Sequence, residues 1–175
     1  MDTLSHGLWG GAVFGQRERS QWKWAFLFGM CPDLLSFGPF FLTHIGDIGE
    51  RWAHHHFGPP DHRLIPAYVY HAYNVTHSLV IFAVLAFIAW KIWGKNAWPF
   101  GAWGLHILCD IPTHSTRFFP TPYLWPFRTP FVNGVPWARG RFMLINYALI
   151  GLTYLGLLSW EKWTARGRKS WRWES

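Results

Sequence analysis

Apolar residues fall into five runs along the chain, and the breaks between the runs carry its polar chemistry. Leu4 to Phe14 and Trp22 to Met30 are short runs joined by a basic turn; Ser78 to Trp93 and Ala97 to Ile111 repeat that arrangement. A fifth run, Phe142 to Trp160, stands alone before a basic tail. The spacing predicts helices over about 4–15, 21–32, 77–93, 97–111 and 142–162, with the tail at 163–175. The first four pair as two short helical hairpins. Each hairpin opens on a hydroxyl residue, a histidine, a small residue and a leucine: Ser5-His6-Gly7-Leu8, then Thr76-His77-Ser78-Leu79. Each closes on a cysteine and an aspartate: Cys31-Pro32-Asp33, then Cys109-Asp110-Ile111-Pro112. A fold that brings the open ends together collects borderline and hard metal ligands from four distant places.

The run lengths bear on the solvent. A helix needs about 20 residues to span a bilayer, and only Phe142 to Trp160 comes close to that length comfortably. The arms Leu4 to Phe14 and Trp22 to Met30 are roughly 14 to 17 Å long at about 1.5 Å per residue, so they dip into hydrocarbon rather than cross it. Composition agrees with a membrane protein: the 175 residues are 50% hydrophobic and 14% charged, with 14 tryptophans. The prediction is an all-α, polytopic membrane helical bundle forming a single domain over residues 1–175. It comprises two short hairpins and a C-terminal transmembrane helix, with two long loops, Leu34 to Thr76 and Pro112 to Arg141, covering a metal site at one pole. Met1-Asp2 lacks the basic start of a cleavable leader, so the first helix is expected to remain in the mature chain. Cys31 and Cys109 are too few for a disulfide framework or a thiolate zinc site and read as small core residues; a bridge between them is the lesser alternative.

Charge orients this bundle. Every lysine falls in one of three places, the first turn, the second turn or the C-terminus, together with Arg17, Arg19, Arg166, Arg168 and Arg172. All three places lie away from the His/Asp ends. Under the positive-inside rule the basic turns and the C-terminus are cytoplasmic, with the metal site at the opposite face. Trp22, Trp24, Trp90, Trp93, Trp98, Trp160 and Trp163 flank the same pole, as an interfacial belt does. The net charge of +7 is thus accounted for by anionic lipid, and no nucleic acid is expected as a partner. The opposite pole has only arginines among its basic residues, namely Arg51, Arg63, Arg117, Arg128, Arg139 and Arg141. Guanidinium groups grip phosphate or carboxylate in a bidentate fashion, and Arg117 and Arg128 are the candidates for substrate binding.

The chemistry concentrates at the second hairpin. His106 and Asp110 are four residues apart and share a helix face; His114, four further, extends the series past Pro112, where the helix is expected to end. A lone His-x3-Asp is a weak signal, more often a buried ion pair, and gains weight here from His6, Asp33 and His77 at the same pole. His6 and His77 are each expected to begin a helix, where the dipole favours the neutral ring that a metal requires. Asp33 is open to three readings: ligand, general base, or cap of a following helix. His54, His55 and His56 read as surface residues, His71 as a partner to the ligands, and His44 and His62 as loop residues.

These motifs, in this order and spacing, resemble the membrane-bound, metal-dependent hydrolase family typified by YdjM. The resemblance covers residues 1 to about 137. That family is in turn distantly similar to zinc-dependent phospholipase C and related phosphodiester-cleaving enzymes. The resemblance implies His6, Asp33, His77, His106, Asp110 and His114 as metal ligands, zinc as the metal in one or more ions, and a bacterial cytoplasmic membrane as the location. The chain departs from the pattern in one place. Many members carry His-Arg shortly before Thr-His-Ser, where this chain has His71-Ala72-Tyr73-Asn74-Val75.

The resulting expectation is a hydrolase that uses a metal-activated water on a phosphoester or ester of a lipid or other amphiphile. Asp33 and Asp110 are its catalytic carboxylates, with Asp110 placed to bridge two ions. The alternative is a non-catalytic integral membrane protein with a structural or transported ion at the same cluster.

Overall fold

The computed structural model describes residues 1–16, 19–46 and 64–170, and the chain divides into two units, Met1–Arg139 and Gly140–Ser175. The first unit holds α1 (Thr3–Phe14), α2 (Arg19–Ser36), α3 (Gly38–Thr43), α4 (Ala67–Thr76), α5 (Leu79–Trp93), a 3-10 helix (Gly94–Phe100) and α6 (Gly101–Thr113). The second is α7 (Gly140–Ser170). Among the described residues there is no strand, only an isolated bridge between Ser115 and Phe118. The protein is therefore all-α, as its apolar runs predict.

Local chemistry places the helix ends. Asp2 caps α1 by accepting from the Ser5 amide at 3.0 Å, and Ser78 caps α5 by accepting from the Val80 and Ile81 amides. Gly94 ends α5 with φ +55°, an angle a Cβ disfavours, and the chain turns there into the 3-10 helix. Phe82 of α5 stacks on Phe100, and its ring lies 2.6 Å from where a Cβ on Gly104 would stand, so α5 packs closely on α6. On α1, glycines serve the same purpose. A Cβ on Gly10 would meet the Ala25 carbonyl at 2.7 Å and Ala102 at 2.9 Å, so α1 nests against both α2 and α6.

Several boundaries differ from the sequence expectation. Pro32 does not close α2, which runs on to Ser36, whose hydroxyl donates back to the Pro32 carbonyl at 2.9 Å. Asp33 is therefore inside a helix and caps nothing. Pro112 lies in the last turn of α6, one residue before its end. The connections expected as loops contain α3 and α4, whose apolar residues Phe40, Val69 and Tyr73 form a core cluster with Ile65 and Phe119. A second cluster, Ala89, Phe100, Trp103 and Ile107, lies between α5 and α6. Cys31 and Cys109 are free thiols, each partly buried.

Two helical stretches, Leu79–Thr113 and Gly140–Trp160, are long and apolar enough to cross a membrane, with mean hydropathies of 1.5 and 1.7. The outer face of α5 exposes Val84, Phe87, Ile88, Trp90, Ile92 and Trp93. In the first unit the two turns meet at one end, where Phe14 packs on Trp98 and a cavity of about 420 Å³ is lined by Gln21, Trp24, Trp93 and Asn96. The His/Asp ends of the helices lie at the other.

Candidate metal centre

Three parts of the fold deliver the four residues of the cluster. Asp33 comes from α2, His77 from the joint between α4 and α5, and His106 and Asp110 from successive turns of α6. One ligand atom from each of these four lies within 4.8 Å of the other three. Nε2 of His77 and Nε2 of His106 are 3.0 Å apart. Asp110 Oδ2 stands 3.5 Å from the first and 3.3 Å from the second, and Asp33 Oδ1 stands 3.5 and 3.7 Å from them. Four atoms held about 2.0–2.2 Å from one tetrahedral ion sit roughly 3.3–3.6 Å apart, and the separations from each histidine nitrogen to the two carboxylates, 3.3–3.7 Å, are near that range.

Hydrogen bonds behind the rings set the tautomers. His106 Nδ1 donates to the Gly29 carbonyl at 2.7 Å; a carbonyl can only accept, so in the neutral ring Nε2 carries the lone pair. His77 Nδ1 donates to the Thr76 hydroxyl at 3.0 Å, whose own proton points to the Tyr73 carbonyl. With both rings neutral, as metal ligation requires, two lone pairs face each other and two carboxylates. Asp110 Oδ2 is buried without a hydrogen-bond partner among the described residues. His77, His106 and Asp110 are fully buried, and such an array is costly unless a cation joins it.

His6 and His114 complete the group on the other side of Asp110. His6 Nε2 is 2.8 Å and His114 Nε2 3.4 Å from Asp110 Oδ1, and the His6 ring stacks on His106 at 3.6 Å. The α-amino group of Met1 also contacts Asp110 Oδ1, with His6 Nε2 at 2.9 Å and the Thr113 hydroxyl at 3.3 Å. Burial, then repulsion from His106, pushes His6 down to about 3 against the pull of Asp110. For Asp33, burial acts upward, but the His106 charge and the His77 hydrogen bond outweigh it and hold the carboxyl below the usual range. Burial likewise lowers His77, and hydrogen bonds to Asp110 and Asp33 more than reverse this.

All six residues expected as ligands are thus brought together. His6 lies in the first turn of α1, as expected; His77 is the C-cap of α4 and directly precedes Ser78, the N-cap of α5, so it stands at the start of α5 but also at the end of another helix. His114 has left the helix into extended backbone, where it is clamped: Gly134 N donates to its carbonyl at 2.7 Å and Trp137 N to that of Thr113 at 3.1 Å. Arg117 and Arg128 are exposed on the connection that follows α6, and neither is among the ion pairs of the cluster. His71 is exposed rather than beside the ligands; His44 Nδ1 lies 3.0 Å from the Phe40 carbonyl. Arg51, His54, His55, His56, His62 and Arg63 lie outside the described residues.

Sequence reasoning missed the supporting residues. Tyr73 stacks on His77 at 3.8 Å, and its hydroxyl donates to the Phe119 carbonyl at 3.2 Å. Its position one helical turn before His77 is the signal that was available. Thr3 donates to Asp33 Oδ2 at 2.7 Å, and the Trp103 indole donates to the Thr76 carbonyl at 2.8 Å, steadying the joint that carries His77. Comparisons with family models, curated proteins and solved structures found no match to this chain.

Proposed function

We propose that this protein is a membrane-bound hydrolase in which His77, His106 and Asp110 hold a divalent ion, zinc by its preference for imidazole and carboxylate. The observation that carries the reading is the convergence of three buried ligand atoms with Asp33 as the fourth, since Asp33 alone of the four has a side chain partly open to solvent, at 14%. Catalytic zinc sites keep one position open to water, whereas structural sites close it with a fourth ligand. A bound ion supplies Lewis acidity and makes water acidic enough to attack near neutral pH. Thr3 occupies Asp33 Oδ2, which leaves Oδ1 facing the cluster as the atom that takes the water's proton.

The mouth of the site favours an amphiphilic substrate. Leu4, Leu34 and Leu35, close in sequence to Thr3 and Asp33, are all exposed. A phosphoester or ester of a lipid fits a polar centre at such an edge, with Arg117 or Arg128 meeting its anionic group. The apolar stretches Leu79–Thr113 and Gly140–Trp160 embed the bundle, and the lysines beside Gly94 mark the cytoplasmic side. The order of the His and Asp motifs supports membership of the YdjM-type family.

The test combines metal analysis of detergent-purified protein with an assay panel of lipid phosphodiesters, lipid monophosphates and lipid esters. Wild type is expected to carry stoichiometric metal and to turn over one class. Asp33→Asn is expected to keep the metal and lose turnover. Metal without turnover on any class favours a structural ion, and no metal overturns the reading.

A further inference from the structure

We infer that the cavity between the start of α2 and the 3-10 helix is a binding site for one phospholipid with an anionic, hydroxyl-bearing headgroup of the phosphatidylglycerol type. The inference takes from the proposed function only that the bundle is embedded in a membrane, and it does not depend on an ion. The cavity lies at the end of the first unit opposite the His/Asp cluster. Its volume of about 420 Å³ falls within the range of about 300–1,000 Å³ that small-ligand sites occupy.

The lining is apolar on one side and polar on the other. Phe28 and Phe100 meet edge to face at 5.1 Å, and Trp24 and Trp93 flank them, 58% and 54% exposed. Indoles with one face packed and the other open suit the boundary between hydrocarbon and water. The polar side is Gln21 and Asn96. Gln21 Oε1 is buried and has no hydrogen-bond partner among the described residues. An amide oxygen can only accept, and a buried acceptor is destabilising until a donor meets it, so the ligand that completes the cavity brings a donor. Charge selects which donor. Lys23 and Lys95, both exposed, adjoin Trp24 and Asn96 in sequence, and no acidic residue occurs from Arg19 to Pro32 or from Leu79 to Cys109. Lys91 is engaged elsewhere, its Nζ 5.5 Å from the ring centre of Phe87 and 5.2 Å from that of Trp90. Two ammonium groups beside an apolar cavity attract the phosphate at the head of an acyl chain. A hydroxyl then meets Gln21 without bringing a further cation among the lysines, as an ethanolamine headgroup would.

The experiment measures lipid binding to the full chain, delipidated in detergent, by native mass spectrometry. Three lipids with identical acyl chains are the probes: phosphatidylglycerol; phosphatidylmethanol, which has the charge but no hydroxyl; and phosphatidylcholine, which has neither net charge nor donor. Wild type is expected to bind one phosphatidylglycerol, roughly fivefold more tightly than phosphatidylmethanol, as one net hydrogen bond gives, with phosphatidylcholine weakest. Gln21→Leu is expected to bring phosphatidylglycerol level with phosphatidylmethanol. Lys23→Gln combined with Lys95→Gln is expected to bring phosphatidylmethanol level with phosphatidylcholine. Both lysines are exposed, so the second variant tests the site even if Gln21→Leu fails to fold, which circular dichroism checks. Equal binding of the three lipids by wild type overturns the site and leaves only unselective lipid around the bundle. A preference that neither variant changes puts the lipid elsewhere and overturns it as well. Extraction of wild type from membranes by alkaline carbonate would instead mark the failure of the membrane reading, and with it of the site.

Discussion

The Gly29 carbonyl of α2 accepts a hydrogen bond from Nδ1 of His106 on α6, at 2.7 Å, between residues 77 apart in the chain. Gly29 is also where α1 and α2 touch: a Cβ there would lie 2.5 Å from the His6 carbonyl oxygen and 3.2 Å from Gly7 Cα. The same residue therefore permits the close approach that brings His6 into the cluster and aims the ring of His106. Packing and ligand geometry are coupled at one glycine.

Gly29→Ala is accordingly expected to do more than a surface substitution. The added methyl meets backbone rather than a side chain that can swing away, so the helices must separate, at a cost of about 1–3 kcal/mol for overpacking. A lower unfolding temperature in detergent together with weaker zinc binding is the expected pair of results. Destabilisation with unaltered zinc affinity would separate the packing role from the aiming role.

Thr76→Val keeps the shape of the side chain and removes the acceptor for His77 Nδ1. A buried donor left without a partner costs about 1–3 kcal/mol, and loss of a partner behind a metal-binding histidine lowers affinity about 10–100-fold. Competition with a chelator of known affinity measures the change. An affinity equal to wild type would show that the ring is held by its stack on Tyr73 instead.

Metal binding is expected to weaken as pH falls. Although burial lowers His77, its hydrogen bonds to Asp110 and Asp33 raise it above its ordinary value of 6.5, so the ion-free cluster holds that proton to higher pH than a free imidazole does. A ligand must be neutral, and binding therefore releases this proton. Affinity should drop about tenfold per pH unit below the raised pKa and level off above it. His6, at about 3, is already neutral and releases none. Zinc titrations in two buffers of different ionisation enthalpy count the proton; zero protons released below pH 6.5 contradicts the assignment of His77 as a ligand.

The exposed face of α5 is expected to contact lipid. Ile88 lies among Val84, Phe87 and Ile92, all exposed and apolar. An arginine near the centre of a spanning helix costs about 2.5–3.5 kcal/mol on insertion. Ile88→Arg should thus lower the fraction of protein that resists alkaline carbonate extraction. Unchanged resistance would place this face in water.

Much of the site was legible in the sequence. His6, Asp33, His77, His106, Asp110 and His114 are polar groups set within or beside apolar runs, and burying such groups is costly unless they share a purpose. The helices were legible for the same reason, because an apolar run interrupted by Gly94 or by a basic turn has few alternatives to a helix that ends there. Short helices in the connections were harder to see. The segments at Gly38–Thr43 and Ala67–Thr76 carry no long period, and their helicity goes with packing of Phe40, Val69 and Tyr73 around Phe119. Pro32 misled as well, since a proline removes one i→i−4 hydrogen bond and marks a helix end only where packing does not hold the helix together on both sides of it.

The sequence by itself determined the inventory: which side chains can ligate, that they fall within or beside apolar runs, and that the basic turns lie elsewhere along the chain. Only the tertiary structure decided how that inventory is shared. Hydrogen bonding from Gly29, Thr76 and Phe119 directs Nε2 of His106, His77 and His114 toward Asp110, whose two oxygens then divide them into separate groups. Spacing along a helix places a residue on a face, whereas the choice of ring nitrogen and carboxylate oxygen depends on backbone groups brought from other helices. That choice depends on contacts of a few ångströms between residues far apart in the chain, and no local pattern encodes it.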